Sequence, residues 1–214
     1  MSRDDELRVI EDVIASPAMC AMDAVHRVIY VVEGDVAIIT GAATVTLSPN
    51  QAWQGSVPCR VTAGAVPARV WRWELRDAAK SPDSVDRVQL AHRVQLDSDA
   101  RSLMRCDRVD FPPGGVAYTH VHQGPGIRML LRGTFRVETA GHTLHLEPGQ
   151  PWFESGPDPV YAVASPTHDT AFIRVMILPE KLQGKSSIRY VNPEDQAKPK
   201  SQRYTIFVDA PIAL

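Results

Sequence analysis

Cysteine is scarce in this chain of 214 residues, with only Cys20, Cys59 and Cys106, far apart and in no CxxC pair. An odd, scattered set indicates neither a disulfide framework nor a thiolate zinc site. Runs of Lys and Arg are missing too. Lys and Arg number 23 against 25 Asp and Glu, a formal net charge of −2, so no basic patch marks a nucleic-acid partner. No apolar stretch approaches the ~20 residues that span a bilayer. The first ten residues are charged and lack the apolar centre of a secretion signal. The expectation is a cytoplasmic protein with neither nucleic acid nor membrane as partner. Helical periodicity is also hard to find. Asp4–Val13 and Asp97–Arg105 admit a short helical turn, but both read equally as strands.

What is present is an ordinary globular composition, 44% hydrophobic and 22% charged, sufficient for one large core or two modest ones. A repeat decides for two. Residues 28–67 match residues 127–166 without a gap, identical at 13 of 40 positions, including Gly34/Gly133, Pro49/Pro148, Trp53/Trp152 and Pro67/Pro166. Chance supplies roughly two or three, at ~5–9% per common residue. A period near a hundred residues suits a small domain and is too long for a solenoid. Both copies contain strands of five or six residues punctuated by Gly and Pro, such as Ala43–Leu47 and His142–Leu146. That spacing reads as an antiparallel sandwich or barrel. Each copy closes on an apolar strand, Arg69–Leu75 and Ala171–Leu178.

The expected organisation is an N-terminal barrel over 1–79, a linker and entering strand over 80–104, a C-terminal barrel over 105–178 and a tail over 179–214. The polar stretch Ala78–Asp86 is the natural linker. Tyr204–Val208 is a strand lying so far past its barrel that it is expected to pair with the other half or another subunit, which favours a homodimer.

Chemistry concentrates in the second copy, at Pro113–Gly133. In an extended strand residues two apart share a face, so His120 and His122 project together, with Tyr118 beside them. Paired imidazoles begin a site for a first-row transition metal. By the same alternation Trp152 and Glu154 share a face, and Glu154 would complete a two-His-one-carboxylate set. Trp152 also has a copy, Trp53, in the half without histidines, which favours a packing role.

These residues resemble the cupin superfamily. The resemblance rests on Gly114, His120-x-His122, Gly133 eleven residues later and Leu146-Glu147-Pro148-Gly149, and in the first copy on Tyr30–Asp35 and Leu47-Ser48-Pro49. It implies an all-β fold of two tandem cupin barrels (double-stranded β-helix, or jelly roll). The HxHxGPG stretch is similar to a subgroup of acetylacetone-cleaving dioxygenases that hold ferrous iron. Two departures stand out. The glutamate that cupins place four residues after the second histidine is Gly126, a loss shared with that subgroup. The second-motif histidine falls at Val160 or Tyr161, and Val160 matches Val61 of the first copy.

Arg128, two residues beyond Gly126, points into the barrel, where its counterpart is Ile29. A buried arginine needs a partner, either a carboxylate (Glu138 or Glu154) or a bound anion. The resemblance leaves three readings open. One is a non-haem oxygenase acting on a small carbonyl or carboxylate compound. In it His120 and His122 hold a divalent metal (Fe(II) favoured over Zn, Ni or Mn), Glu154 or water completes the shell, and Arg128, Tyr118, Gln123 and Trp152 meet the substrate. The second is a metal-free cupin that binds a small molecule. The third is a structural dimer.

Overall fold

The computed structural model describes residues 2–80 and 87–214. It resolves into two compact units, Met1–Asp97 and Ser98–Leu214. The first contains β1 (Ser2–Ile14), β2 (Met19–Met22), β3 (His26–Glu33), β4 (Val36–Thr40), β5 (Ala43–Leu47), β6 (Ala52–Gly55), β7 (Cys59–Ala63), β8 (Ala68–Asp77) and β9 (Val88–Asp97). They form two antiparallel sheets, ordered β6-β3-β8-β1-β9 and β2-β7-β4-β5. The second contains β10 (Ser102–Phe111), β11 (Val116–His122), β12 (Gly126–Arg132), β13 (Phe135–Thr139), β14 (His142–Leu146), β15 (Pro151–Glu154), β16 (Val160–Ala164) and β17 (Thr170–Pro179), then β18 (Ile188–Tyr190), α1 (Pro193–Ala197) and β19 (Arg203–Ile212). Its sheets run β15-β12-β17-β10-β19 and β14-β13-β16-β11-β18. Each unit is a jelly-roll barrel. Asp4–Val13 lies wholly within β1, so strand wins there over helix. Among the described residues no helix is long and apolar enough to cross a membrane.

Alternation explains each core. In β13, Phe135 and Val137 are buried while Arg136 and Glu138 face outward. Phe135 meets Phe111, Phe172 and Trp152 at ring centroids of 5.2, 5.4 and 5.9 Å, within the range where aromatic pairs attract beyond area burial. The repeated glycines mark a steric constraint. Gly34 and Gly133 both have positive φ (71° and 76°). A Cβ at Gly34 would stand 2.6 Å from the Pro67 carbonyl, and one at Gly133 2.5 Å from Thr170 Oγ1.

Two expectations about connections are corrected. The segment 80–104, expected as a linker and entering strand, is divided differently: Val88–Asp97 is a strand of the first unit, pairing with β1 from Ser2↔Asp97 to Ile10↔Val88. Residues 81–86 of the expected linker lie outside the described residues. The tail does not leave its barrel. β19 pairs with β10 and β18 with β11, extending both sheets of its own unit. The first strand of each barrel leaves an edge whose N–H and C=O groups need partners, and a later strand of the same unit supplies them, β9 for β1 and β19 for β10.

The ungapped match between copies slips by two residues in one strand. Val61 sits opposite Ile38, whereas Ala162 sits opposite Val137, so Ala162 is the structural counterpart of Val61.

Where the second barrel has His120 and Arg128, the first packs Met22 and Ile29 into an apolar core, and two residues past Arg72 on its closing strand it holds a buried ionic cluster. Glu74 is fully buried; one oxygen takes Arg8 at 2.9 Å and Arg76 at 2.8 Å, and the other takes Arg72 and, at 3.4 Å, Arg27. Burial alone would raise its pKa, but Arg72, Arg76 and Arg8 outweigh that and hold it at about 2. A depressed folded-state pKa stabilises above the unfolded value, near 4.5, and the contribution is lost as pH falls toward 2. The difference is on the order of 3 kcal/mol at neutral pH. Glu74→Gln is therefore expected to lower unfolding free energy in urea by about 3–5 kcal/mol. It should also flatten the fall of stability between pH 4.5 and 2. An unchanged acid limb would show that the cluster does not set it.

Candidate functional site

The second barrel brings His120, His122, Arg128, Trp152 and Glu154 together. β11 carries the histidines, and its pairing with β16 is irregular between Ala117 and His120. That bulge decides which side chains face inward. Ala117, His120 and His122 line the barrel cavity. Tyr118, expected beside the histidines, instead lies against Lys198 and Lys200 at 4.8 and 5.3 Å from its ring centre. The first barrel has no such insertion: its Met22 pairs with Cys59 as His120 pairs with Val160.

Three of the four imidazole nitrogen contacts are short enough to orient the rings. His120 Nδ1 lies 2.7 Å from the Tyr118 carbonyl. A carbonyl only accepts, which assigns the proton to Nδ1 and leaves Nε2 as a lone pair. Nε2 faces His122 Nε2 at 3.2 Å. His122 Nδ1 is 3.3 Å from Ser187 Oγ, at the start of the tail. With its proton on Nε2, His122 donates to His120 and accepts from Ser187. Burial depresses both histidine pKa values; Glu154 partly opposes this at His120, while Arg174 and Arg128 reinforce it at His122. Both imidazoles are neutral at pH 7.

Glu154 is the hub. Its Oε1 accepts from Trp152 Nε1 at 2.8 Å, and its Oε2 is 2.6 Å from Arg128 Nη2 and 3.4 Å from His122 Nε2. Arg128 thus finds Glu154; Glu138 pairs with Arg136 instead. Complete burial, opposed by Glu154, lowers the Arg128 pKa to about 10, so it stays charged. Gly126 makes room for it. Arg128 Nη1 donates to the Gly126 carbonyl at 2.6 Å, and a Cβ at Gly126 would stand 3.0 Å from that nitrogen and 2.6 Å from the Val175 carbonyl. The position where cupins carry a glutamate has no space for one here.

The Arg128–Glu154 contact is close but misaligned. Arg128 Nη2 and Glu154 Oε2 are buried without a directed hydrogen bond, and so is Gln202 Oε1. All three residues line one cavity of about 30 Å³. Gln202 comes from the tail and carries no sequence signal. Ile188 and Tyr204, also from the tail, close the cavity with it. Arg174, held by Asp107 at 2.6 and 2.9 Å, forms another wall. A lone arginine in the apolar run Ala171–Leu178 is a signal that sequence reasoning passed over. Gln123 is exposed in the turn after β11 and outside the cavity lining.

These residues fit a resident metal poorly. Two neutral imidazoles are adjacent, but among the described residues the one carboxylate that lines the cavity with them, Glu154, is engaged by Trp152 and Arg128. Catalytic metal sites keep three protein ligands. Val160, one of the two positions where the resemblance implies a histidine, is buried in the cavity wall. Among the described residues no group of three or more His, Cys, Asp or Glu side chains is disposed to hold a metal ion.

No protein-family model matches the sequence, and no curated protein does. Solved structures do match in fold. AerE from Microcystis aeruginosa is 16% identical over 80% of this chain and 88% of its own, with a TM-score of 0.63. The 11S allergen from Cocos nucifera gives 10% identity, 90% and 85% coverage and a TM-score of 0.63. Salicylate 1,2-dioxygenase from Pseudaminobacter salicylatoxidans gives 10%, 94%, 74% and 0.58. A cupin 2 conserved barrel domain protein from Leptotrichia buccalis also matches, at 14% identity, coverage of 80% and 83%, and a TM-score of 0.50. The chain has the cupin fold, as two tandem jelly-roll barrels.

Glu154→Gln leaves Arg128 buried against a neutral amide and is expected to cost about 3–5 kcal/mol in urea unfolding. Tyr118→Phe removes a hydroxyl outside the cavity and should shift stability by less than about 0.5 kcal/mol. Equal effects would remove Glu154 from the centre of the site.

Proposed function

We propose that this protein is a small-molecule-binding bicupin in which the C-terminal barrel binds and the N-terminal barrel is structural. One observation carries the reading: three buried polar atoms, on Arg128, Glu154 and Gln202, lack directed partners and belong to residues lining one cavity. Unsatisfied buried groups are rare in native proteins and call for a ligand or water. The cavity is large enough for at least one water, which needs roughly 10–15 Å³. A carbonyl or carboxylate group accompanied by a hydroxyl or an ordered water suits it, because Glu154 Oε2 and Gln202 Oε1 only accept and need a donor. The carbonyl or carboxylate oxygen accepts from Arg128, as guanidinium–carboxylate pairing favours, and the apolar wall of Val109, Phe111 and Phe172 takes the attached carbon. The first barrel has Ile29 and Gly55 at the matching positions and packs Ile29 with Met22, Val31 and Val70 in an apolar core.

A second reading, a metal-dependent oxygenase, is favoured by the 3.2 Å spacing of the two Nε2 atoms and by the dioxygenase among the fold neighbours. His120 and His122 would hold the metal, which would supply redox chemistry. The engagement of Glu154 makes binding without a resident metal the better-supported reading.

The test titrates formate, acetate and pyruvate into the full chain by ligand-observed NMR, beside an Arg128→Ile/Glu154→Gln variant that removes both charges together. At least one probe should bind the wild type, with affinity falling at least about tenfold in a variant that keeps its circular dichroism. Equal binding in both, or none in either, would overturn the assignment. Metal analysis of protein purified without chelator or affinity-tag metal separates the two readings. Near one equivalent of Fe, Mn, Ni or Zn, lost in His120→Ala/His122→Ala, would establish the oxygenase reading instead.

A further inference from the structure

Beside the buried cavity, the tail and the barrel enclose a cleft of about 320 Å³ that shares Arg174, Ile188 and Tyr204 with it. The volume falls in the range of small-molecule sites. Its apolar wall is Ile188, Tyr190, Tyr204 and Ile206. Tyr204 and Ile206 are 46% and 52% exposed, so two of the larger apolar side chains open to solvent line the same cleft. Its charge is one-sided. Arg105, Arg174, Lys185 and Lys200 line it against a single lining carboxylate, Asp107.

The cations are fixed to different degrees. Arg174 is clamped by Asp107 and lies 5.6 Å over the Tyr204 ring. Arg105 is paired with Asp209 at 2.8 Å. Lys200 packs over Tyr190 at 4.2 Å and donates to the Lys198 carbonyl at 2.8 Å. With Arg105 matched by Asp209 and Arg174 by Asp107, the two lysines leave the cleft net positive. Aromatic faces beside fixed cations attract flat molecules by stacking and dispersion, and the surplus charge selects an anion.

We infer that this cleft binds a small anionic molecule with a flat apolar body, its ring against Tyr190, Tyr204 and Ile206 and its anionic group toward Lys185 and Lys200. The site goes beyond the inner cavity and does not depend on what fills it.

The experiment is calorimetric titration of the full chain with 2-naphthoate and with its uncharged analogue 2-naphthylmethanol. Lys185→Glu and Ile206→Glu each place an anion in the cleft, and neither residue lines the inner cavity. 2-Naphthoate is expected to bind one to one, at least about tenfold more tightly than the alcohol, with a tenfold or greater loss in each variant. Acetate and pyruvate binding, which reports on the inner cavity, stays unchanged in both, so the two sites fail independently. No saturable naphthoate binding, equal affinity in wild type and variants, or alcohol binding as tight as naphthoate would overturn the inference.

Discussion

The C-terminal barrel depends on one buried ion pair. Arg128 lies at the centre of a cupin interior, where an unpaired guanidinium would be prohibitive, and Glu154 makes its presence tolerable. The rest of the site follows from housing that pair. A side chain at Gly126 would meet the Val175 carbonyl and Met176 as well as the guanidinium, which donates to the Gly126 carbonyl. Trp152 packs in the core and steadies the other carboxylate oxygen through its ring N–H. The histidines stay neutral because burial and two nearby arginines disfavour imidazolium. A carboxylate so engaged is a weak candidate for metal ligation, and the arginine keeps one Nη2 without a directed acceptor.

The two barrels solve the same problem differently. Both place charge in the barrel interior, and both keep an arginine at matching places in their closing strand, Arg72 and Arg174. In the N-terminal unit four guanidiniums converge on Glu74 in a closed cluster. In the C-terminal unit the charges are balanced but incompletely aligned, and a small cavity remains. The two copies of one repeat thus differ in what their interiors hold: an apolar core and a closed ionic cluster in the first, an ion pair beside a small cavity in the second. The tail, absent from the repeat, adds a strand to each sheet of the C-terminal unit and supplies Gln202, Ile188 and Tyr204 to the cavity wall.

Much of this was legible in the sequence, and the failures have physical causes. Alternation at two-residue spacing brought His120, His122, Arg128 and Glu154 to one interior, because β12 and β15 are regular there. It failed at Tyr118, where a bulge shifts the parity of β11, and a bulge leaves no compositional mark. The gap-free repeat aligned Val61 with Val160, yet strand pairing shows a two-residue slip; a shift of two preserves which face is buried, so the hydrophobic pattern conceals it. The returning strands β9 and β19 were misassigned for another reason: composition shows that a segment can be a strand but not which edge it joins. Gln202 and Ser187 were invisible because polar residues in a tail look like any loop.

A crystal structure at a resolution that orders water, with anomalous data to identify any metal, tests the central claim most directly. The account predicts density for a water or small ligand in the cavity, hydrogen-bonded to Arg128 Nη2, Glu154 Oε2 and Gln202 Oε1, with no metal between His120 and His122. A metal held by the two histidines and Glu154, with Arg128 turned away from the carboxylate, would contradict it.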